Sequence, residues 1–189
     1  DTEAWFRSLT EALKFVYASK FLEAAREYRA SLGDRAASES MAVIVQEVVG
    51  RRHGPRFYPD VSCVARSLNY YPFGPARPED GVMSLALGLG KQIVDGGRCF
   101  TVSPRHPRSG PPFASARDLL DETQTSFWAV NMGVPPAYDP VAESEYLVLG
   151  TLAEAEADGA LALAASTYDP RRDRVVLGLA AAGPRVLDF

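Results

Sequence analysis

A change in hydrophobic period near residue 40 constrains the fold of this chain more than any other sequence feature. In residues 1–32 apolar side chains recur every three or four positions, which predicts two amphipathic helices. Gly33 follows as an expected helix end. The expected buried faces are Trp5, Leu9, Leu13 and Val16 on the first helix and Phe21, Ala25, Tyr28 and Leu32 on the second.

After residue 40 the apolar runs become short and rich in β-branched and aromatic residues, which predicts strands separated by Pro- and Gly-containing loops. Helices followed by strands differ from a regular βαβ alternation, so we predict an α+β fold with a mostly antiparallel sheet and long loops. We expect a helical segment over 1–40 and a single β-rich lobe over 41–189. Expected strands cover 41–49, 57–71 with a break at Pro59, 98–104, 126–132 and a hairpin within 161–179, and SARDLLDET (115–123) is expected to be a short helix.

The composition excludes several classes of protein. The chain has 189 residues, 47% hydrophobic and 23% charged, with a formal charge of −4, which indicates a globular protein and argues against a nucleic-acid binder. Cys63 and Cys99 form neither a disulfide framework nor a metal-ligand pattern. Without a signal peptide or an apolar run of membrane length, we expect a cytoplasmic protein. Because the chain begins at Asp1, we expect it to be an internal piece of a longer polypeptide.

The sequence GLGKQIVDGG at residues 88–97 is the densest glycine cluster in the chain. It matches neither the P-loop pattern nor GxGxxG, because Gln92 follows Gly90-Lys91 and Leu85 stands where a P-loop needs its first glycine. Generic motif rules therefore leave two interpretations open: a loop that contacts phosphate, or a bend that needs glycine for its backbone conformation.

Two other stretches also leave alternatives open. The run MAVIVQEVV (41–49) is either a core strand or an edge whose backbone reads an adenine ring. Two basic clusters are either solvated surface or phosphate contacts. The first consists of Arg51, Arg52, His53, Arg56 and Arg66, and the second of Arg105, His106 and Arg108.

Three motifs in order resemble the nucleotide-binding domain shared by phosphoenolpyruvate synthase and pyruvate, phosphate dikinase. MAVIVQEVVG resembles the family's (M/V)AV(V/I)VQ.MV segment, SCVARSLNYYP (62–72) its SGV.FT.NP stretch, and GLGKQIVDGG its GLGE..V.GG. In addition, STYDPRRDRVVLGL resembles a late hairpin of the phosphoenolpyruvate synthase branch. The resemblance covers most of residues 15–185 and favours the functional interpretation of the glycine cluster.

The resemblance implies part of an ATP-grasp domain, with ATP and Mg²⁺ as ligands of the intact parent. The parent would be a kinase-like transferase that moves phosphoryl groups from ATP through a phosphohistidine to pyruvate. Its phosphohistidine and barrel domains would be the partners of this piece. We expect the fragment alone to have no turnover, and neither a catalytic residue nor a metal ligand is recognisable in it. The implied nucleotide-binding residues are Gln46, Glu47 and Val48 through their backbone, then Ser67, Asn69, Gly88, Gly90 and Lys91, with Arg51 and Arg66 as weaker phosphate contacts.

Two departures from the family pattern motivate an alternative. Cys63 replaces a family glycine, and Lys91 replaces a glutamate, which reverses the charge. A degenerate ATP-grasp module with a regulatory or ligand-sensing role is therefore a second hypothesis. A third is an α+β domain that binds a protein through the proline-rich loop at 104–112. A homodimer is a further expectation, because a separated lobe can expose apolar surface.

Overall fold

The computed structural model describes residues 2–32, 40–133 and 146–189, which divide into two units. The first unit contains residues 2–32 and 40–47, and the second contains residues 48–133 and 146–189. None of the helices in these ranges combines the length and hydropathy that a membrane span requires.

The first unit consists of two helices, α1 (Thr2–Ser19) and α2 (Glu23–Leu32), followed by an extended stretch. Both helices were predicted from their apolar period, but neither buries a residue, and Trp5 is 65% exposed. The expected burial of their apolar faces is therefore wrong. Periodicity defines a face, whereas burial requires a second surface, and the described residues cover Leu9, Leu13 and Val16 only in part. The expected helix end at Gly33 lies outside the described residues.

Residues 41–49 form no strand, which corrects the strand predicted there. Ile44 is 82% exposed, and Val45 and Val49 are also exposed. β-Branched composition favours an extended backbone, but a strand exists only when a neighbour completes its hydrogen bonds, and no described residue pairs with this run.

The second unit holds ten short strands in three sheets, and every strand pairing among the described residues is antiparallel. The α+β class is thereby confirmed. The strands are β1 (Arg51–His53), β2 (Arg56–Tyr58), β3 (Ser62–Arg66), β4 (Val82–Ala86), β5 (Phe100–Val102), β6 (Ser126–Asn131), β7 (Leu147–Thr151), β8 (Ala165–Asp169), β9 (Arg174–Val176) and β10 (Arg185–Leu187). The helices are α3 (Lys91–Val94), α4 (Ala116–Glu122) and α5 (Leu152–Ala157), with a 3-10 turn at Pro78–Asp80.

The three sheets have the orders β1-β2-β6-β7, β3-β4-β5 and β10-β8-β9. The predicted break at Pro59 is confirmed, because it separates β2 from β3. The predicted hairpin is confirmed as β8–β9, although it starts at Ala165 rather than 161, and residues 161–164 form turns.

Two helices of the second unit begin with side-chain caps. The Ser115 hydroxyl accepts a hydrogen bond from the Asp118 N–H at the start of α4 (3.1 Å). At the start of α5, Thr151 and Glu154 form a reciprocal capping box. The cap at Ser115 fixes the start of the predicted helix at 115–123.

The core of the second unit lies against the inner face of the four-stranded sheet. Tyr58, Leu87, Phe127 and Leu161 are fully buried there, and the rings of Tyr58 and Phe127 lie 4.5 Å apart. Gly150 stands opposite Phe127 in the sheet, and a Cβ there would lie 2.5 Å from the Phe127 ring. Glycine is therefore required for this ring to pack flat on the sheet.

Candidate functional site

The glycine loop (residues 88–91) connects β4 to α3 and is held by backbone hydrogen bonds. Gly88 has φ of +79°, and its N–H donates to the Pro59 carbonyl (3.2 Å). The Leu89 N–H donates to the Trp128 carbonyl (2.9 Å), and the Gln92 N–H donates back to the Leu89 carbonyl (3.1 Å). These bonds occupy the N–H groups of Gly88, Leu89 and Gln92, so those three groups do not point to a ligand, and the Lys91 side chain is the charged group of the loop.

Two side chains fix the loop and its entry, the buried Gln124 and the half-buried Ser62. The Gln124 carboxamide accepts from the Leu87 N–H (2.9 Å) and donates to the Leu87 carbonyl (3.0 Å) and to the Ser126 carbonyl (2.8 Å). The Ser62 hydroxyl donates to the Gly88 carbonyl (2.6 Å). Gln124 was not predicted, because it is distant in sequence from the residues it holds and belongs to no motif.

Close packing explains why position 88 is glycine. A Cβ at Gly88 would lie 2.6 Å from the Trp128 carbonyl oxygen and 3.0 Å from Phe127 Cβ. The positive φ and this contact both exclude a side chain. The glycine loop is thus rigidly seated on β6.

Lys91 lies where the loop enters α3, between an aromatic ring and a carboxylate. Its Nζ is 5.7 Å from the centroid of the Trp128 ring and 2.8 Å from Asp95 Oδ2. The Lys91 side chain is 27% exposed and that of Asp95 is 50% exposed. Because the carboxylate of this i,i+4 pair is exposed to water, the pair itself contributes little to stability.

Three other predicted site residues lie at the far end of β3. Ser62 stands opposite Ala86 beside the glycine loop, whereas Arg66 stands opposite Val82. Arg66 lies four positions after Ser62 along the strand, a distance of about 13 Å. Ser67 is exposed and Asn69 is buried, and the Asn69 N–H donates to the Pro78 carbonyl (2.8 Å). The structure therefore does not bring Arg66, Ser67 and Asn69 together with Gly88, Gly90 and Lys91.

The remaining predicted residues precede β2. Gln46, Glu47 and Val48 are exposed and belong to the stretch without strand structure, where their backbone groups lack a sheet partner among the described residues. Arg51 lies in β1 and contacts both carboxylate oxygens of Asp60 (2.7 and 2.6 Å). An anion at Arg51 would have to compete with Asp60.

Arg56, which the sequence assigned only to a basic cluster, belongs to a charged network. Its Nη1 is 2.6 Å from Glu154 Oε1, and its Nη2 is 3.1 Å from Asp158 Oδ2. The Tyr58 hydroxyl donates to the same Asp158 oxygen (2.7 Å). Burial acts to raise the pKa of Asp158, but hydrogen bonds from Tyr58 and Arg56 outweigh it and lower the pKa overall. This network fastens β2 to α5 and leaves Arg56 unsuited to phosphate.

The described residues contain no cluster of three or more candidate metal ligands. In residues 2–32, 40–133 and 146–189, no group of three His, Cys, Asp or Glu side chains is placed to hold a metal ion. Mg²⁺ is normally bound through carboxylates together with substrate phosphates.

Comparison with known proteins identifies the family of the chain. The model of the family described as pyruvate phosphate dikinase, AMP/ATP-binding domain, matches residues 5–126, which is 122 of the 189 residues. No curated protein and no solved structure matches the chain. The matched region runs from α1 to the first residue of β6 and includes the whole glycine loop. The chain therefore belongs to the pyruvate phosphate dikinase family, through its AMP/ATP-binding domain.

Proposed function

We propose that this chain is part of an ATP-grasp domain that binds ATP in a phosphoenolpyruvate synthase-like phosphotransferase. The parent transfers phosphoryl groups from ATP through a phosphohistidine, carried by another domain, to pyruvate. The observation that carries this proposal is the family match over residues 5–126. The glycine loop within the match supports it, because it presents a lysine on a rigid support.

The proposed nucleotide-binding residues are those that the motifs indicate, with the glycine loop as the best supported group. Phosphoryl transfer depends on positioning and on concentrated positive charge. Lys91 contributes such charge at a fixed position beside Trp128. Backbone contacts of Gln46, Glu47 and Val48 with adenine rest on the motif alone and are a weaker proposal. The same holds for Arg51, Arg66, Ser67 and Asn69, which the structure does not bring to the glycine loop.

A degenerate, regulatory module is the second candidate. Lys91, at the place of the family glutamate, favours it, because a cation replaces a residue that could hold a metal ion or a phosphate-bound water. In that case the parent binds nucleotide without consuming it.

Exposed aromatic side chains on α1, among them Trp5 and Phe6, support a homodimer or a partner domain as the neighbour of this unit. We propose a cytoplasmic location for the parent.

An assay of the parent protein separates the two candidates. ATP consumption is followed with and without pyruvate, together with the appearance of phosphoenolpyruvate. The enzyme proposal predicts consumption that requires pyruvate in the parent and none in residues 1–189 alone. Nucleotide binding by the parent without any consumption would support the regulatory candidate instead. Pyruvate-dependent consumption by the fragment alone would show that the site is complete within it, contrary to the proposal.

A further inference from the structure

The outer face of the four-stranded sheet, beside the glycine loop, combines an apolar surface with a cation. We propose that this face is where the nucleotide lies, with its base against Trp128 and Leu149 and its phosphates at Lys91 Nζ. The inference rests on the proposed ATP-binding function and adds a position and a contact set to it. None of the sequence motifs indicated Trp128 or Leu149.

The alternation of β6 defines the two faces of this sheet. Phe127 and Ala129 are fully buried on the inner face, so Trp128 and Val130 project to the outer face. Trp128 stands directly opposite Leu149 of β7, which is 57% exposed. Side chains directly opposite in an antiparallel pair lie side by side on one face, so these two form a continuous apolar surface.

Lys91 places a positive charge over this surface. Its Nζ lies 5.7 Å from the Trp128 ring centroid, and the glycine loop that carries it is bonded to the Trp128 carbonyl through the Leu89 N–H. The indole and the ammonium therefore share one rigid support. A tryptophan face stacks with bases of any identity, and a lysine ammonium is a point charge that binds phosphate oxygens.

A nucleotide fits this combination better than a purely apolar occupant, such as a protein segment. An apolar occupant would cover the charge of Lys91 without offering it a partner, which is unfavourable. Asp95 competes with phosphate for this cation, since its carboxylate lies 2.8 Å from Lys91 Nζ. Lys91 is half-buried, but Asp95 is exposed and lies four positions further along the chain, so water weakens its hold on the lysine. A phosphate chain carries more negative charge than one carboxylate and can take over the contact.

The first experiment reads the indole directly. The chain has two tryptophans, so Trp5→Phe leaves Trp128 as the sole emitter. Titration with AMP-PNP is expected to change the Trp128 emission in a saturable manner. Adenosine is expected to produce the same change at higher concentration, and inorganic triphosphate is not expected to produce it. Lys91→Gln should weaken AMP-PNP binding about tenfold and leave adenosine binding unchanged.

Two exposed leucines provide a matched pair for calorimetry with AMP-PNP. Leu149→Gln alters the proposed surface, whereas Leu177→Gln alters an 87% exposed leucine after β9 in another sheet. Both side chains are exposed, so both variants should fold. The proposal predicts about fivefold weaker binding for Leu149→Gln, by loss of apolar contact, and unchanged binding for Leu177→Gln. Asp95→Asn should strengthen binding about twofold, because it removes a carboxylate that competes with phosphate for Lys91.

The outcomes separate this inference from the function on which it rests. Calorimetric binding of AMP-PNP with an unchanged Trp128 emission, and with equal affinities for the two leucine variants, would place the nucleotide elsewhere and leave the proposed function intact. Absence of any binding by residues 1–189 would contradict both. Equal weakening of adenosine and AMP-PNP by Lys91→Gln would overturn the assignment of phosphate to Lys91.

Discussion

Substitution of Gly88 by alanine tests the seating of the glycine loop. The new Cβ would meet the Trp128 carbonyl oxygen at 2.6 Å and Phe127 Cβ at 3.0 Å, in a backbone with φ of +79°. A left-handed conformation costs a non-glycine residue about 1–2 kcal/mol. Overpacking of a tight site costs about 1–3 kcal/mol more. We therefore expect Gly88→Ala to lower the free energy of unfolding by about 2–5 kcal/mol.

Gly96 provides the control, because it has nearly the same backbone conformation without the contact. Its φ is +75°, and a Cβ there would have no neighbour within 4 Å. Gly96→Ala should lower the free energy of unfolding only by the cost of the left-handed backbone, about 1–2 kcal/mol. Urea unfolding followed by Trp128 emission, in the Trp5→Phe background, gives both values if the m-values agree. Equal losses for the two variants would refute the close approach of Gly88 to β6.

Three further predictions concern buried polar contacts of the second unit. Arg56→Met should lower the free energy of unfolding by about 2–4 kcal/mol, because it leaves Asp158 partly buried without its cation; urea unfolding measures this. Tyr58→Phe should cost about 1–2 kcal/mol by loss of one hydrogen bond to a carboxylate, measured in the same way. Gln124→Leu should cost about 2–4 kcal/mol, because the Leu87 N–H and carbonyl lose their buried partner. Amide exchange at Leu87 should then accelerate more than exchange in β8.

The acid dependence of stability follows from the same network. The pKa of Asp158 is lowered in the folded state, whereas an unfolded aspartate titrates at about 3.9. Its contribution is therefore fully present above about pH 5 and is lost as pH falls through the folded pKa. As pH is lowered from neutral, the free energy of unfolding should fall less steeply in Asp158→Asn than in the unaltered chain. An unchanged slope would contradict the coupling of Asp158 to Arg56 and Tyr58.

Local sequence patterns predicted which helices and strands form, but not what packs against them. The apolar period found α1 and α2, and the turn at Asp169 and Pro170 found the β8–β9 hairpin, because both signals act within a few residues. The strand predicted at 41–49 failed because composition does not provide the neighbour that a strand needs. For the same reason the apolar stripe of α1 is only half-buried at Leu9, Leu13 and Val16 and leaves Trp5 exposed.

The site was predictable only where a motif marks it. The glycine loop was found from its family pattern, but its attachment was not, since Ser62 and Gln124 are 26 and 37 residues from their partners. The Arg56 network joins residues about 100 positions apart, so no window of sequence contains it. Trp128 could have been found from the alternation of SFWAVN, which separates it from Phe127, but its neighbour Lys91 could not.

Calorimetric titration of residues 1–189 with AMP-PNP tests the central claim most directly, namely that this chain carries the nucleotide-binding surface of its family. The matched variants are Lys91→Glu and Lys14→Glu, which make the same charge change in the glycine loop and on the exposed surface of α1. We predict saturable binding that Lys91→Glu abolishes and Lys14→Glu leaves unchanged. Binding that is equal in all three proteins, or absent from the unaltered chain, would contradict the claim.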